Sequence, residues 1–475
     1  MHQLSIASIS FRQSKELKII MKHFLYKVIL TDNPSPHLSL PLEASMEGAG
    51  KAAFGTIEAP CTVAFHDQPQ DAMKMSKGLA ELLHFFPVQK TNILLHEGTI
   101  HLGPLFGIFT AGFTDSILRP AGERSLFFAK LLSIDSAAGM PSFLFGAHHI
   151  NWEKGIVNGF IYGKDGWEQR HLPLPSVVYD RLPNRRLENH RALKLVKARL
   201  TKEYAIPWYN PGFFNKWEIH QLLIKDSTAR RYLPETILHP SLSQLEQLLS
   251  DYRSVYLKPV NGSLGNGIFQ LMYSREDAMY YSRHRDPDSG ENKLRKYPAL
   301  EHFFKHSFQG KHLENYLAQQ GIKLEKFQQC PIDFRVHTNK DRTNEWKVTA
   351  IAAKISGRGS ATTHLNNGGI VKTLEELYSE PKDRLLALDE LTSAAICLSR
   401  SIDGSIDGMI GEIGFDLGID NNGRVWMFEA NSKPGRSIFD HPKLKTADIN
   451  ARRHTVDYAL YLAERAIKNP EDLPL

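Results

Sequence analysis

The residues best suited to chemistry lie in the segment GEIGFDLGIDNNGRVWMFEANSKPG at 411–435. The Asn-Gly pair at 422–423 is typical of a two-residue type I′ hairpin turn, because both central positions of that turn require positive φ. Cross-strand partners then have residue numbers that sum to 845, so Asp416 faces Glu429, and Asn431 follows on the same face. Two facing carboxylates and an amide oxygen suit a hard dication such as Mg²⁺. These three residues are the predicted metal ligands.

The same hairpin predicts a buried face that carries Ile413, Phe415, Leu417, Ile419, Trp426 and Phe428. Gly414 and Gly418 fall on the polar face, where they are expected to leave room for a ligand. The alternative is that the acids line a solvated face, which is the more common location of Asp and Glu. Facing acids flanked by glycines favour the metal site.

A second candidate is the glycine-rich segment VYLKPVNGSLGNGIFQL at 255–271, in which a strand presents Lys258 to a loop. Glycines let backbone N–H groups approach phosphate oxygens, and an ammonium offsets the phosphate charge. The predicted cofactor-binding residues of the loop are Gly262, Ser263, Gly265 and Gly267. The segment does not fit GxxxxGK[ST], which argues against a P-loop NTPase. An ordinary flexible hairpin is the alternative.

A third candidate is DFRVHTNKDRTNEWKVTAIAAKI, which predicts two strands around a polar turn. Asp333, Arg335 and His337 alternate onto one face of the first strand. Arg335 and Lys354 are the predicted catalytic residues, because fixed cations stabilise phosphate or acyl phosphate charge in a water-poor site. Two surface cations at a sheet edge are the alternative.

The elements that must position these residues divide the chain into four parts. Residues 1–21 are predicted to be an N-terminal extension, and 22–101 a small β-rich domain with one helix near MKMSKGLAELLHFF. Strands alternate with helices at 102–190, which indicates an α/β lobe, and 191–470 form a nucleotide-sized module. The predicted fold class is mixed α/β (α+β).

Composition excludes several classes of protein. The net charge of +6, from 58 basic and 52 acidic residues, is too diffuse to indicate nucleic-acid binding. The three cysteines are far apart and have no metal-ligand spacing. The chain shows no long uncharged apolar run, so neither a signal peptide nor a membrane helix is expected. We therefore expect a cytoplasmic protein without a membrane partner.

Several segments together resemble the ATP-grasp superfamily and, more closely, its YheC/YheD-like branch of endospore-coat-associated proteins. They are HLGPLFGIFT, VVYDRLPNRRLE, NKWEIHQLL, YLKPVNGSLGNGI, AQQGIKL, DFRVH, THLNNGG, GEIGFDLGID and MFEANSKPGR. The resemblance implies an ATP-grasp fold with Mg²⁺, or alternatively Mn²⁺, at Asp416, Glu429 and Asn431. It also implies that Lys216 and Lys258 contact the ATP phosphates, that the loop at 262–267 covers them, and that backbone groups of Gln320 and Ile322 bind adenine.

The resemblance also implies a reaction. In related ligases such as glutathione synthetase and D-alanine-D-alanine ligase, a carboxylate attacks the γ-phosphate, and an amine or thiol then takes the acyl phosphate. The D-alanine ligase carries an Arg two residues before its first metal acid, where this chain has Gly414. The cation for the intermediate would therefore be Arg335, Lys354 or Arg436.

Three functions remain open at this stage. They are a ligase for an unidentified carboxylate with an amine or thiol acceptor, a kinase that phosphorylates a hydroxyl, and a spore-coat scaffold that binds ATP without turnover. Asp180, Arg181, Arg185 and Arg186 are candidate acceptor-site charges, with a solvated loop as the alternative. Related ligases suggest a homodimer.

Overall fold

The computed structural model describes residues 23–67, 72–86, 88–262, 265–286, 288–308, 310–357, 359–360, 363 and 369–473. The predicted extension at 1–21 and Ser263 lie outside the described residues. Within the described part of the chain, every helix is too short or too polar to cross a lipid bilayer.

The first part of the chain forms an eight-stranded sheet with the order β4-β3-β8-β7-β1-β6-β2-β5. Its elements are β1 (His23–Thr31), β2 (His37–Pro41), β3 (Lys51–Phe54), β4 (Ile57–Pro60), β5 (Thr62–His66), β6 (Ala72–Ser76), α1 (Lys77–Leu82), β7 (Lys90–His96) and β8 (Thr99–Leu102). The helix expected near MKMSKGLAELLHFF forms only at Lys77–Leu82, because the first residues of this segment belong to β6. Ser76 accepts a hydrogen bond from the Leu79 N–H, and this cap starts the helix after the strand.

A seven-stranded sheet follows, with the order β11-β12-β10-β9-β14-β15 and β13 beside β12. Its elements are β9 (Phe106–Phe109), α2 (Ser125–Ala137), β10 (Ser142–Phe145), β11 (Ile150–Asn151), β12 (Ile156–Gly163), β13 (Gly166–Pro173), β14 (Val177–Asp180), α3 (Arg185–Glu188), α4 (Arg191–Lys202) and β15 (Trp208–Tyr209). Strands β10, β9, β14 and β15 are parallel. The sheet thus takes its last strand from beyond residue 190.

The third sheet is antiparallel, with the order β16-β21-β17-β18-β19-β20. This region contains α5 (Lys216–Lys225), β16 (Thr236–Leu238), α6 (Leu242–Tyr252), β17 (Ser254–Pro259), β18 (Phe269–Ser274), β19 (Met279–Arg285), β20 (Asn292–Tyr297), α7 (Leu300–His306) and β21 (Tyr316–Gln320). Helix α6 begins after the N-cap residue Ser241, which forms a capping box with Gln244. Its buried residues Leu245, Leu248 and Leu249 recur at helical spacing and pack on this sheet.

The fourth sheet has the order β25-β24-β23-β26-β27, with β22 beside β23. Its elements are β22 (Lys326–Phe327), β23 (Cys330–Lys340), β24 (Trp346–Ile355), β25 (Ile370–Lys372), α8 (Leu374–Leu377), α9 (Pro381–Asp403), β26 (Glu412–Ile419), β27 (Val425–Asn431) and α10 (Lys445–Lys468). Helix α9 covers one face of this sheet, and α10 also shares a core with α2 of the preceding lobe.

Candidate functional site

The β26–β27 hairpin brings the predicted metal residues onto adjacent strands. Asp416 pairs directly with Glu429, and Gly414 pairs with Asn431, as the residue sum of 845 requires. The cross-strand prediction for the two carboxylates is therefore confirmed. Because β23 lies on the other side of β26, Arg335 is also a direct neighbour of Asp416.

The turn that connects these strands differs from the predicted two-residue type I′ turn. The Gly423 N–H bonds to the Asp420 carbonyl, and the Asp420 N–H bonds to the Arg424 carbonyl, so three residues at 421–423 form the loop. Only Gly423 has positive φ, at 81°, which matches a type I turn followed by a left-handed residue. The Asp420 carboxylate accepts the N–H groups of Asn422 and Arg424 and so favours this turn.

A bulge restores the register that the longer loop would otherwise shift. Near the turn, Leu417 pairs with Met427, but beyond it Asp416 pairs with Glu429, so Phe428 is the extra residue. The loop is one residue longer than predicted, and the bulge adds one residue to β27. These two deviations cancel, so the predicted pairing is correct although the predicted turn is wrong.

The bulge also changes which side chains of β27 are buried in the core. Val425 and Met427 join the core cluster below the sheet, together with the predicted residues of β26. Trp426 instead lies under the Arg424 guanidinium and donates to Asp420, and Phe428 lines a cleft. These two aromatic residues therefore do not join the predicted core face, although Trp426 is buried as predicted.

The two glycines of β26 make room for protein side chains. A Cβ at Gly414 would lie 2.4 Å from Pro434 Cβ, and one at Gly418 would lie 2.6 Å from the Phe428 ring. Neither position leaves the open space for a ligand that the sequence suggested. Their absent side chains let a proline and an aromatic ring pack directly on the strand.

The third and fourth sheets face each other across a cleft of about 1100 Å³. The predicted site residues that line it are Lys216, Lys258, Gly262, Gly265, Gln320, Ile322, Lys354, Asp416 and Glu429. Arg335, Gly267 and Asn431 are not part of this lining. Gly267 has φ of 72°, and a Cβ there would approach Pro259 and Tyr316, so it shapes the base of the loop.

Asp416 is the centre of an ion-pair cluster. The Arg335 guanidinium binds it in a bidentate manner, with Nε to Oδ1 at 2.8 Å and Nη2 to Oδ2 at 3.1 Å. Lys354 Nζ lies 2.8 Å from the same Oδ1 and 3.1 Å from Oδ1 of Asp333. The Thr363 hydroxyl donates to the second oxygen of Asp333. Three neighbouring strands thus bring two acids and two cations together.

The two acids of this cluster have opposite pKa shifts. Burial disfavours the ionised form of Asp416, but the charges of Arg335 and Lys354 outweigh it and lower the pKa of that carboxyl. Burial raises the pKa of Asp333, although Lys354 partly opposes this shift. Burial alone would lower the pKa values of Arg335 and Lys354, but the neighbouring acids outweigh this effect and raise both. Asp416 therefore stays charged at neutral pH.

The two lysines that line the cleft, Lys216 and Lys258, have other partners than the Asp416 cluster. Lys216 Nζ donates to the Gly262 carbonyl at 2.7 Å and lies 3.4 Å from Glu429 Oε1. Lys258 Nζ donates to the Gln319 amide oxygen. Burial lowers the pKa of Lys258 to about 8, with Lys216 adding to the shift and Glu429 opposing it. Lys258 is thus a half-buried ammonium whose described hydrogen-bond partner is neutral.

The edge of the cleft is formed by the end of β21. The Gln320 N–H donates to the Glu235 carbonyl at 2.8 Å, and the Gln320 side-chain oxygen accepts the Glu235 N–H. The Ile322 carbonyl accepts the Leu324 N–H. Gln320, the last residue of β21, and Ile322, two residues beyond it, both line the cleft.

The oxygen atoms of Asp416, Glu429 and Asn431 fit a divalent cation, but Asp416 has little free acceptor capacity. Among the described residues, His, Cys, Asp and Glu side chains form no metal-binding group of three or more. The candidate set is thus two carboxylates and the Asn431 amide. A carboxylate has about four acceptor positions, and Asp416 uses three of them for Arg335 and Lys354. One position, on Oδ2, remains for a metal ion.

Sequence reasoning missed several residues of the cleft. Asp333, Gln319, Phe428 and Thr363 all line it. The alternation along β23 already placed Asp333 on the face of Arg335, and this signal could have identified it. Phe428 reaches the cleft only because of the bulge, which no local pattern indicated.

The candidate acceptor-site charges at 180–186 do not form one group. Asp180 is buried and pairs with Lys433 at 2.5 Å, whereas Arg186 is exposed. Arg185 donates to the Phe214 carbonyl. Only Arg181 lines a large cleft, and that cleft is separate from the one described above.

Comparison with known proteins adds to this geometry. Residues 205–462 match the family described as "YheC/D like ATP-grasp". The endospore coat-associated protein YheD of Bacillus subtilis (strain 168) is 47% identical over 457 residues, covering 95% of this chain and 99% of the relative. The endospore coat-associated protein YheC of the same organism is 24% identical over 277 residues, covering 57% of this chain and 73% of the relative.

Solved structures are similar at a lower level. A D-alanine–D-alanine ligase from Bacillus anthracis has 10% identity and a TM-score of 0.43, covering 77% of this chain and 99% of that chain. The four sheets described above and the family match together show a mixed α+β fold of the ATP-grasp type, with a β-rich N-terminal region. The chain belongs to the YheC/D-like ATP-grasp family.

Proposed function

We propose that this member of the YheC/D-like ATP-grasp family binds ATP with a divalent cation and activates a carboxylate as an acyl phosphate. One observation carries the proposal. Lys216 and Lys258 line a single cleft together with Asp416 and Glu429. Cations for phosphate and acids for a metal ion are the two groups that phosphoryl transfer needs.

The nucleotide would lie along this cleft with its adenine at the end of β21. Because the Gln320 N–H is already bonded to Glu235, the Gln320 carbonyl is the group left to accept the adenine amino group. The Ile322 N–H is the proposed donor to the ring. The phosphates would then reach Lys258, Lys216 and the loop that contains Gly262 and Gly265, which all line the cleft.

Asp416, Glu429 and Asn431 are the proposed ligands of Mg²⁺, with Mn²⁺ as an alternative. The ion, when bound, would neutralise phosphate charge and polarise the transferred phosphoryl group. Asp416 would contribute its free Oδ2 position. Among the described residues, the ion pair of Glu429 is the one with Lys216, at 3.4 Å. Asn431 pairs across the strands with Gly414, two residues along each strand from the Asp416–Glu429 pair.

The two proposed catalytic cations would differ in role. Lys354 lines the cleft and is proposed to contact the transferred group, whereas Arg335 lies outside the lining and holds Asp416 in a bidentate pair. Arg335 is therefore proposed as a positioning residue that fixes the orientation of a metal ligand.

The proposed reaction has two balanced steps. A substrate carboxylate oxygen attacks the γ-phosphorus, the bond to the β–γ bridging oxygen breaks, and ADP leaves. An amine or thiol then attacks the acyl carbon, loses its proton and displaces inorganic phosphate. Lys216 and Lys258 would stabilise the charge on the departing ADP.

The relatives named above also suggest a cellular setting. Both are named as endospore coat-associated proteins, and we propose that this chain has the same association. The homodimer and the cytoplasmic location stay predictions from the sequence.

Hydroxylamine trapping tests the proposed reaction. We would incubate the protein with Mg-ATP, hydroxylamine and a panel of carboxylic acids, because acyl phosphates react with hydroxylamine to give hydroxamates. A hydroxamate that disappears in Lys258→Ala is the expected result. A stable phosphate ester without hydroxamate would indicate the kinase, and ATP binding without ADP release from any acid would favour the scaffold.

A further inference from the structure

A second cleft, of about 1170 Å³, lies between the α/β lobe and the C-terminal region. Its walls come from the start of α2, the loop at 181–183 after β14, the segment at 433–440 after β27, and the first two turns of α10. Among the described residues, it shares no lining residue with the cleft proposed to bind ATP. It is nevertheless continuous with the same hairpin, because Lys433 follows Asn431 by two residues.

The lining of this second cleft is strongly cationic, with seven basic and three acidic side chains. Within the described part of the chain, no carboxylate forms an ion pair with Arg124, Lys130 or Lys445. Lys130 and Lys445 are exposed at the cleft. Such an excess in a concave, partly desolvated surface attracts anions.

Arg124 is the most informative of these cations. Its guanidinium is anchored to neutral groups, with Nη1 donating to Thr110 Oγ1 at 2.8 Å and Nη2 to the Ala111 carbonyl. Burial, together with the nearby charge of Arg181, lowers the pKa of Arg124. Arg124 Nη1 also lies 3.4 Å from the Arg181 carbonyl, so these two arginines line the cleft close to each other. An anion between them would be stabilised by both charges.

Two other arginines of the cleft, Arg436 and Arg181, form ion pairs with buried acids. Arg436 pairs with Glu412 and with Asp448, each at 3.0 Å. Arg181 reaches Glu412 through Nη1 alone, at 3.5 Å. A guanidinium has five N–H donors, so these pairs orient both arginines and leave donors for a ligand.

Aromatic rings complete the walls. The Phe127 ring lies 5.1 Å from both the Arg181 and the Arg452 guanidinium carbons, and the Phe439 ring lies 4.8 Å from that of Arg436. These contacts hold the cations in place. They also give the cleft apolar surface between its charged groups.

We propose that this cleft binds a small molecule with at least two anionic groups, carboxylate or phosphate, joined by a short apolar segment, and that this molecule is the acid substrate. The proposal rests on the proposed ligase function, because a carboxylate bound here would be activated at the adjacent hairpin. One anionic group would lie between Arg124 and Arg181, and the apolar segment would contact Phe127.

Thermal stability with defined anions tests the site. The probes are glutarate, 3-phosphoglycerate and acetate at matched ionic strength, because a ligand that binds the native state raises Tm. We expect a rise with glutarate or 3-phosphoglycerate but not with acetate, and the stronger of the two identifies carboxylate or phosphate as the preferred group. An equal response to acetate, or no response to any probe, would overturn the proposal.

Variants then locate the binding. Arg124→Gln should weaken binding of the active probe by about tenfold or more, as for a lost charge-assisted hydrogen bond. Lys130→Gln combined with Lys445→Gln changes only exposed residues and should also weaken it, so a folding defect in the first variant leaves the test valid. Lys443→Gln removes an exposed charge paired with Glu376 outside the cleft and is the matched control. Unchanged affinity in both cleft variants would contradict the proposal.

A titration with a non-hydrolysable ATP analogue and Mg²⁺ in the same preparations separates the two proposals. Nucleotide binding without anion binding would overturn this inference and leave the proposed function standing. Anion binding without nucleotide binding would support the anion site and overturn the ligase.

Discussion

The two clefts of this protein differ in the charge of their linings. The lining of the first is nearly balanced, with four basic and three acidic side chains. The lining of the second has seven basic and three acidic side chains, and Glu412 and Asp180 pair with three of these cations from outside the lining. A site for Mg-ATP must hold a cation and an anion together, whereas a site for an anionic substrate needs only positive charge. The difference separates the two ligands by chemistry.

The largest expected effect would come from breaking the ion-pair cluster around Asp416 in the first cleft. Arg335→Met removes the bidentate partner of Asp416 and leaves a buried carboxylate with Lys354 alone. We expect the free energy of unfolding to fall by about 3–5 kcal/mol, measured by urea denaturation. Arg400→Met, which breaks an exposed pair with Glu345, is the control and should lower it by at most about 1 kcal/mol. Equal losses would show that the cluster does not stabilise the fold.

A smaller effect concerns the pH dependence of nucleotide binding. The pKa of Lys258 is lowered to about 8 by burial, and phosphate binds its charged form. Affinity for an ATP analogue should therefore be constant below pH 8 and fall by up to about tenfold per pH unit above it. Its charged neighbours are Glu429, Lys216, Asp416 and Asp333.

Lys258→Arg is the control for this profile, because an arginine stays protonated throughout the range. Its affinity should not fall between pH 8 and about 10. A fall of the same size in both proteins would assign the titration to another group.

The smallest effect concerns the turn that sets the register of Asp416 and Glu429. Gly423→Ala places a Cβ at φ of 81° and should destabilise the protein by about 1 kcal/mol. Gly163 has open space around its Cβ position and no positive φ, so Gly163→Ala should have little effect in the same urea denaturation. An unchanged free energy of unfolding in Gly423→Ala would contradict a left-handed conformation at this residue.

The contrast between the clefts also explains what the sequence could predict. Asp416 and Glu429 lie on one hairpin, and Arg335 alternates with core residues on the next strand, so local periodicity brought them together. The second cleft takes Arg124, Arg181 and Arg436 from segments far apart in the chain, and no local pattern relates them. The sequence suggested Arg181 and Arg436 separately but did not place them in one cleft.

The hairpin itself shows a further limit of sequence reasoning. The Asn-Gly pair correctly indicated a turn, but the Asp420 side chain favours a loop one residue longer than predicted. Phe428 then packs on Gly418, and Leu324 lies beside the same glycine. These are tertiary contacts that no local pattern shows. The position of the strands was therefore predictable, whereas the face on which Trp426 and Phe428 lie was not.

The most direct test of the account is isothermal titration with a non-hydrolysable ATP analogue, with and without Mg²⁺. We expect Mg²⁺-dependent binding that Glu429→Ala abolishes and that the control Glu203→Ala, at an exposed helical pair with Arg199, retains. Absence of binding in the unmodified protein, or equal Mg²⁺-dependent binding in Glu429→Ala, would contradict the assignment of this cleft to Mg-ATP.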